Sequence, residues 1–218
     1  MKNNKLIKGL MVFVIYIVFP LLLGMFLPSI GDSKTPELVL YTFFYLIVLL
    51  SFIFVYRSDF KDEAIGAKKN IKKTLTIILV SFVSLILLVT VFQLLIYKIF
   101  PTIEYSNSII VNAYLQKATW FMIFVLMIYS PIVEEIVFRK VFKDIIQNKV
   151  FFVIFSALIF GFCQIGYNIS SLENILSIIP YAVLGGVCAI SYVKSDSIYV
   201  PIVIRILYNI FLLVLHLI

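Results

Sequence analysis

Apolar positions along this chain come in long unbroken runs, separated by short polar stretches. Seven runs reach or approach the roughly 20 residues that a helix needs to cross a bilayer core. They cover residues 10–30, 38–56, 75–100, 120–146, 150–166, 175–193 and 198–218. None alternates with the strict period of two that a transmembrane barrel strand requires. The pattern predicts an all-α, polytopic bundle of about seven spans in a single membrane domain, residues 1–218. The first run has no small-residue cleavage site after it, so it is expected to be kept as a span. The longest polar stretch, 57–73, carries both signs of charge and reads as an amphipathic or solvated connector. Residues 102–116 read as an outer loop, and no internal repeat or low-complexity linker is visible.

Composition agrees. The chain is 63% hydrophobic and 13% charged, against about 45–50% and 25% for soluble domains. The net charge of +7 would suggest nucleic acid, but its placement explains it otherwise. With the amino terminus in the cytoplasm, fourteen Lys and Arg residues fall in inner segments and three, Lys34, Lys98 and Lys117, in outer ones. That split follows the positive-inside rule. The expected location is a multi-pass cell membrane protein of bacterial type. The bilayer, with its anionic lipid, is the expected partner, and no nucleic acid is needed. Cys163 and Cys188 lie inside apolar runs, with neither metal-type spacing nor a disulfide framework. No cofactor or metal is expected.

Ionisable groups inside a span are costly and ask for a partner or a role. The fourth run holds Glu134, Glu135 and Arg139. Glu135 and Arg139 are four apart and share a helix face. Glu134 points about 100° away and needs a partner on another helix. Pro131 lacks an amide proton and is expected to free the carbonyl of Met127. A plain alternative is that residues 134–143 form a charged helix end in the cytoplasm. Gln164 lies as far beyond the turn at Lys149 as Glu134 lies before it, so two antiparallel helices bring both to one depth, about 20 Å from the turn. Gln164 could equally be a packing glutamine. Arg205 and Asn209, four apart in the last run, share a face. Arg205 needs an anion, either lipid phosphate or, better, Glu134. These residues are expected to form one inter-helix polar cluster. His216 reads as interfacial, Asn168-Ile169-Ser170 as a chance glycosylation triplet, and Gly185-Gly186 as a close helix contact.

The series Glu134-Glu135-x-x-x-Arg139, Phe160-x-x-x-Gln164 and Arg205-x-x-x-Asn209, the last following Pro201-Ile202, resembles the motifs of the CPBP family. That family comprises the CAAX prenyl proteases and the bacteriocin-processing membrane proteases, also called Abi proteins. The family-like core spans 118–213. The resemblance implies a glutamate-dependent intramembrane endopeptidase. In it Glu134 would activate water with a histidine of the second motif, Glu135 and Arg139 would hold the helix, and the late motif would stabilise the oxyanion. Gln164 and Arg205 stand where the family has histidines. Glutamine has no lone pair basic enough to take a proton and is a poor metal ligand. A cation at 205 could still serve an oxyanion. The expected function is therefore a CAAX-protease-like scaffold that has lost ordinary hydrolysis and takes part in bacteriocin self-immunity or in regulating a membrane protein. A hydrophobic, bacteriocin-like peptide is its expected partner. The alternatives are an active glutamate-dependent endopeptidase with Glu134 as water activator and Arg205 and Asn209 at the oxyanion, and a small transporter built on a charge pair.

Overall fold

The structure, a computed structural model, describes residues 2–28, 34–101, 114–165 and 175–217. The Asn168 triplet and nearly all of the 102–116 loop lie outside the described residues, as does the side chain of His216. Among the described residues every regular element is helical. The principal helices are α1 (Lys2–Phe26), α2 (Thr35–Val55), α3 (Arg57–Lys69), α4 (Ile71–Ile99), α5 (Thr119–Ile145), α6 (Lys149–Ile165), α7 (Ile178–Ser195) and α8 (Tyr199–Leu217).

Seven of these coincide with the seven apolar runs. Five are long and apolar enough to cross a membrane: α1 from Lys5 onward, α2, α4, α5 and α7. The helices α6 and α8 are apolar but shorter, at Lys149–Ile165 and Tyr199–Leu215. The eighth, α3, is the polar connector, and none of its side chains is fully buried. Short breaks at Tyr56 and Asn70 separate α3 from its neighbours. Asp196 closes α7 in the left-handed region, at φ 50°. Asp tolerates that conformation better than most residues.

The architecture is set by α5. Every residue from 133 to 142 is buried, Glu134, Glu135, Arg139 and Lys140 included. A helix buried all round sits at the centre of its bundle, so the charged-helix-end reading of residues 134–143 does not hold. From α1, Phe13 and Tyr16 set their rings edge-on against Phe138. From α2, the ring of Tyr45 lies 4.4 Å from that of Tyr129. The contact between α6 and α7 is close enough to need glycine. A Cβ on Gly161 would lie 2.9 Å from Ile178 Cγ2, and one on Gly185 would lie 3.1 Å from Ala157 Cα. At Gly186 the nearest atom is an unstrained 3.7 Å away, so Gly185 alone of that pair is the tight contact.

Candidate functional site

The polar groups of α5, α6 and α8 meet in the bundle interior, one turn apart on each helix. On α6 the stripe Ser156, Phe160, Gln164 recurs every four residues and faces α5. Gln164 Nε2 donates to Glu134 Oε2 at 3.3 Å. At the other end of the stripe Ser156 Oγ accepts from Arg139 Nη1 at 3.0 Å and donates to the carbonyl of Phe138 at 2.7 Å. Between them the Phe160 ring is fully buried. The guanidinium of Arg139 lies 5.1 Å from its centre and that of Arg205 5.0 Å. Both distances are within cation–π range. One aromatic ring thus serves both cations.

Two ion pairs result. Glu135 and Arg139 are fully buried and paired one turn apart, with Arg139 Nη2 donating to Oε1 at 3.2 Å. Arg139 Nε lies 2.9 Å from Oε2 without a bond along its N–H, so that contact is coulombic. The second pair crosses helices. Arg205 Nη2 meets Glu134 Oε2 in a direct hydrogen-bonded ion pair. Ser130 Oγ, one turn before Glu134, donates to Oε1 at 2.5 Å and accepts from Arg205 Nη2 at 3.3 Å. Arg205 Nε is 3.9 Å from Glu135 Oε1, which joins the two pairs into one cluster of two carboxylates and two guanidiniums. A charge in apolar surroundings persists only when compensated in this way.

Asn209 lies near this cluster but is spent elsewhere. Its Nδ2 donates to the backbone carbonyl of Leu126 at 2.6 Å. The reason lies in α5. Residues Val125–Tyr129 form a π turn, in which Ser130 N–H reaches back five residues to the carbonyl of Val125. In that register the next donor, owed to Leu126, belongs to Pro131, which has no N–H. The carbonyl of Leu126 is thus left without a donor from the helix. Asn209 satisfies it, and so ties α8 to α5 one turn from the Arg205 pair. A second π turn, Ile136–Val141, follows the carboxylates. Such turns recur at functional sites.

A second polar group, at one end of the bundle, has no counterpart in the motifs. Glu63 of α3 accepts from the Ile198 backbone N–H at 2.6 Å and from the Tyr192 hydroxyl at 3.0 Å. It thereby supplies an acceptor and a negative charge to the start of α8, the helix that carries Arg205 and Asn209. Lys140 Nζ sits among Asp59 (2.8 Å), Asp144 (3.4 Å) and Glu63 (3.5 Å). Burial pushes the Asp59 carboxyl up. The Lys140 hydrogen bond and the charges of Lys140, Lys8 and Lys5 outweigh it and hold the group below its ordinary value. Lys143 and Asp196 pair at 2.8 Å on the same side.

Sequence reasoning missed Ser130, Ser156 and Glu63. The two serines were findable, since each lies one helical turn from a motif residue. Glu63 was not, because only the folded chain brings α3 to the start of α8. Neither cysteine is in a disulfide. Among the described residues no group of three His, Cys, Asp or Glu side chains is placed to hold a metal.

Residues 116–211 match the family model described as type II CAAX prenyl endopeptidase Rce1-like. The matched segment contains all seven motif residues, from Glu134 to Asn209. No curated protein and no solved structure matches the chain.

Proposed function

We propose that this chain, Rce1-like over residues 116–211 and thus built on a CPBP-type membrane scaffold, has given up ordinary hydrolysis and acts by binding. Its ligand is a hydrophobic, bacteriocin-like peptide or another membrane protein, and its role is self-immunity or regulation. The observation that carries this reading is how Glu134 is engaged. Its two oxygens take Ser130, Gln164 and Arg205. A carboxylate that activates water needs a free lone pair and a partner able to pass on the proton. Here the neighbour on α6 is an amide, and the neighbour on α8 is a cation that competes with water for the same oxygen. The role in immunity rests on the resemblance to the family.

A second reading has one observation in its favour. Arg205 is a fixed, buried cation beside Glu134, where it could stabilise an oxyanion. An active endopeptidase with this unusual pair would use Glu134 on the water and Arg205 on the tetrahedral oxygen. One comparison separates the two. Wild type and Glu134→Ala are reconstituted in liposomes with candidate membrane peptides, cleavage is read by mass spectrometry, and host sensitivity to the parent bacteriocin is scored in parallel. Protection that persists in Glu134→Ala with no cleavage by wild type supports binding. Cleavage by wild type that is lost in Glu134→Ala overturns the binding reading in favour of the enzyme.

A further inference from the structure

We propose that the corner between α3 and α4, with the cleft below it, is a binding site for one anionic phospholipid. The cleft, about 360 Å³, opens on the lipid-facing surface and is lined by Leu75, Thr76, Ile78, Leu79 and Phe82 of α4 and Leu207 of α8. Its walls are almost wholly apolar, and Leu75 and Leu79 are exposed at its mouth. An acyl chain suits such a lining.

The headgroup end is specified by charge. Lys72, Leu75, Thr76 and Leu79 stand at i, i+3, i+4 and i+7 and form one stripe along α4. Lys72 therefore sits at the end of the cleft nearest the polar corner. From Lys72 to Phe82 the stripe rises about 15 Å, enough for the upper half of an acyl chain. Lys68, Lys69 and Lys73 crowd the same corner and are exposed. Thr74 holds it shut by donating to the Ala67 carbonyl across the α3–α4 break, at 3.3 Å. No carboxylate in the described residues pairs with any of these four lysines, whereas Lys8, Lys140 and Lys143 all have acidic partners. A phosphate diester above an apolar cleft supplies both missing partners. A free anion would satisfy the lysines alone, and a zwitterionic lipid would satisfy the cleft alone. Leu207 lies between Arg205 and Asn209 in sequence, so the bound chain would touch the helix that carries the interior cluster. The site stands whether or not the protein cleaves anything.

The test is native mass spectrometry of the full-length protein with phosphatidylglycerol or phosphatidylcholine, and with glycerol phosphate as competitor. Wild type should retain one phosphatidylglycerol in preference to phosphatidylcholine. Lys72→Glu/Lys73→Glu should reduce that preference by at least about thirtyfold, given about 1 kcal/mol per basic residue lost at an anionic surface and the added repulsion of two carboxylates. Leu79→Trp should fill the cleft and lower retention of both lipids while leaving the headgroup preference intact. All three positions are exposed, so the variants should fold, and unchanged elution as a monodisperse species confirms it. Equal retention of the two lipids by wild type, or unchanged retention in both variants, overturns the proposal. So does displacement of the lipid by glycerol phosphate, or a second copy of the chain occupying the cleft.

Discussion

Replacing Arg205 with Leu removes the guanidinium from a pair that is buried on both sides, with Arg205 5% and Glu134 8% exposed. Glu134 would keep Ser130 and Gln164 as neutral donors, each contributing about 1 kcal/mol, but would lose the guanidinium paired with it. Breaking one side of a buried pair costs about 3–5 kcal/mol. Arg205→Leu should therefore lose about 3 kcal/mol. Glu134→Gln should lose less, about 1–2 kcal/mol, because the amide oxygen can still accept and Arg205 keeps Glu135 at 3.9 Å. The double variant restores neutrality in the cluster and should recover roughly 2 kcal/mol relative to the sum of the singles. Trp120, the only tryptophan, sits at the far end of α5 and is 46% exposed. Its fluorescence can report reversible unfolding in mixed micelles of dodecylmaltoside and SDS. Losses that add to within about 0.5 kcal/mol would refute the coupling. The structural account of the cluster would then fail, whatever the function.

Three further outcomes follow from other parts of the bundle. Glu63→Ala should speed amide exchange at Ile198 and through the first turn of α8, at a cost of about 1–2 kcal/mol, with Glu63→Gln recovering part; exchange confined to α3 would refute the cap. Gly161→Ala should lose about 1–3 kcal/mol in the same micelle assay because its Cβ meets Ile178 at 2.9 Å, while Gly186→Ala, with 3.7 Å of room, should be near neutral. Asp59 lies below its ordinary value of 3.8 when folded, so its stabilisation is complete above that pH and is lost as pH falls through the lower folded value. Asp59→Asn should flatten the acid limb of a stability–pH curve measured below about pH 4, and an unchanged limb would show that Asp59 does not contribute.

The spans were readable because the bilayer imposes a length on them, and the runs of the first, second, third and fourth spans coincide with α1, α2, α4 and α5 to within a few residues at most ends. The depth argument that set Glu134 opposite Gln164 needed only the rise of a helix and one turn. The Glu135–Arg139 contact needed only a spacing of four. What escaped were contacts set by a wide turn, by a serine in an apolar stripe and by distant parts of the folded chain. Asn209 shares a face with Arg205, yet it serves the Leu126 carbonyl, which the π turn before Pro131 leaves without a helical donor. Ser156 is a small residue in an apolar helix, and its hydroxyl bridges Arg139 and the Phe138 carbonyl. Glu63 sits well over a hundred positions before the helix it caps, with nothing local to mark it.

The π turn at Val125–Tyr129 also bears on how this segment can change in length. A wide turn stores one residue more than the α-helical path would use. Deleting a single residue there lets the wide turn relax into an ordinary one, so the carboxylates downstream keep their heading towards α6 and α8. The same deletion within Ser130–Glu135, where the turns are already α-helical, has no slack to absorb it. It would swing Leu126 and everything before it by about 100° relative to Glu134 and pull the Asn209 acceptor out of reach. Single-residue deletions should therefore be tolerated within Val125–Tyr129 and not within Ser130–Glu135, a contrast that a deletion scan along α5 would expose.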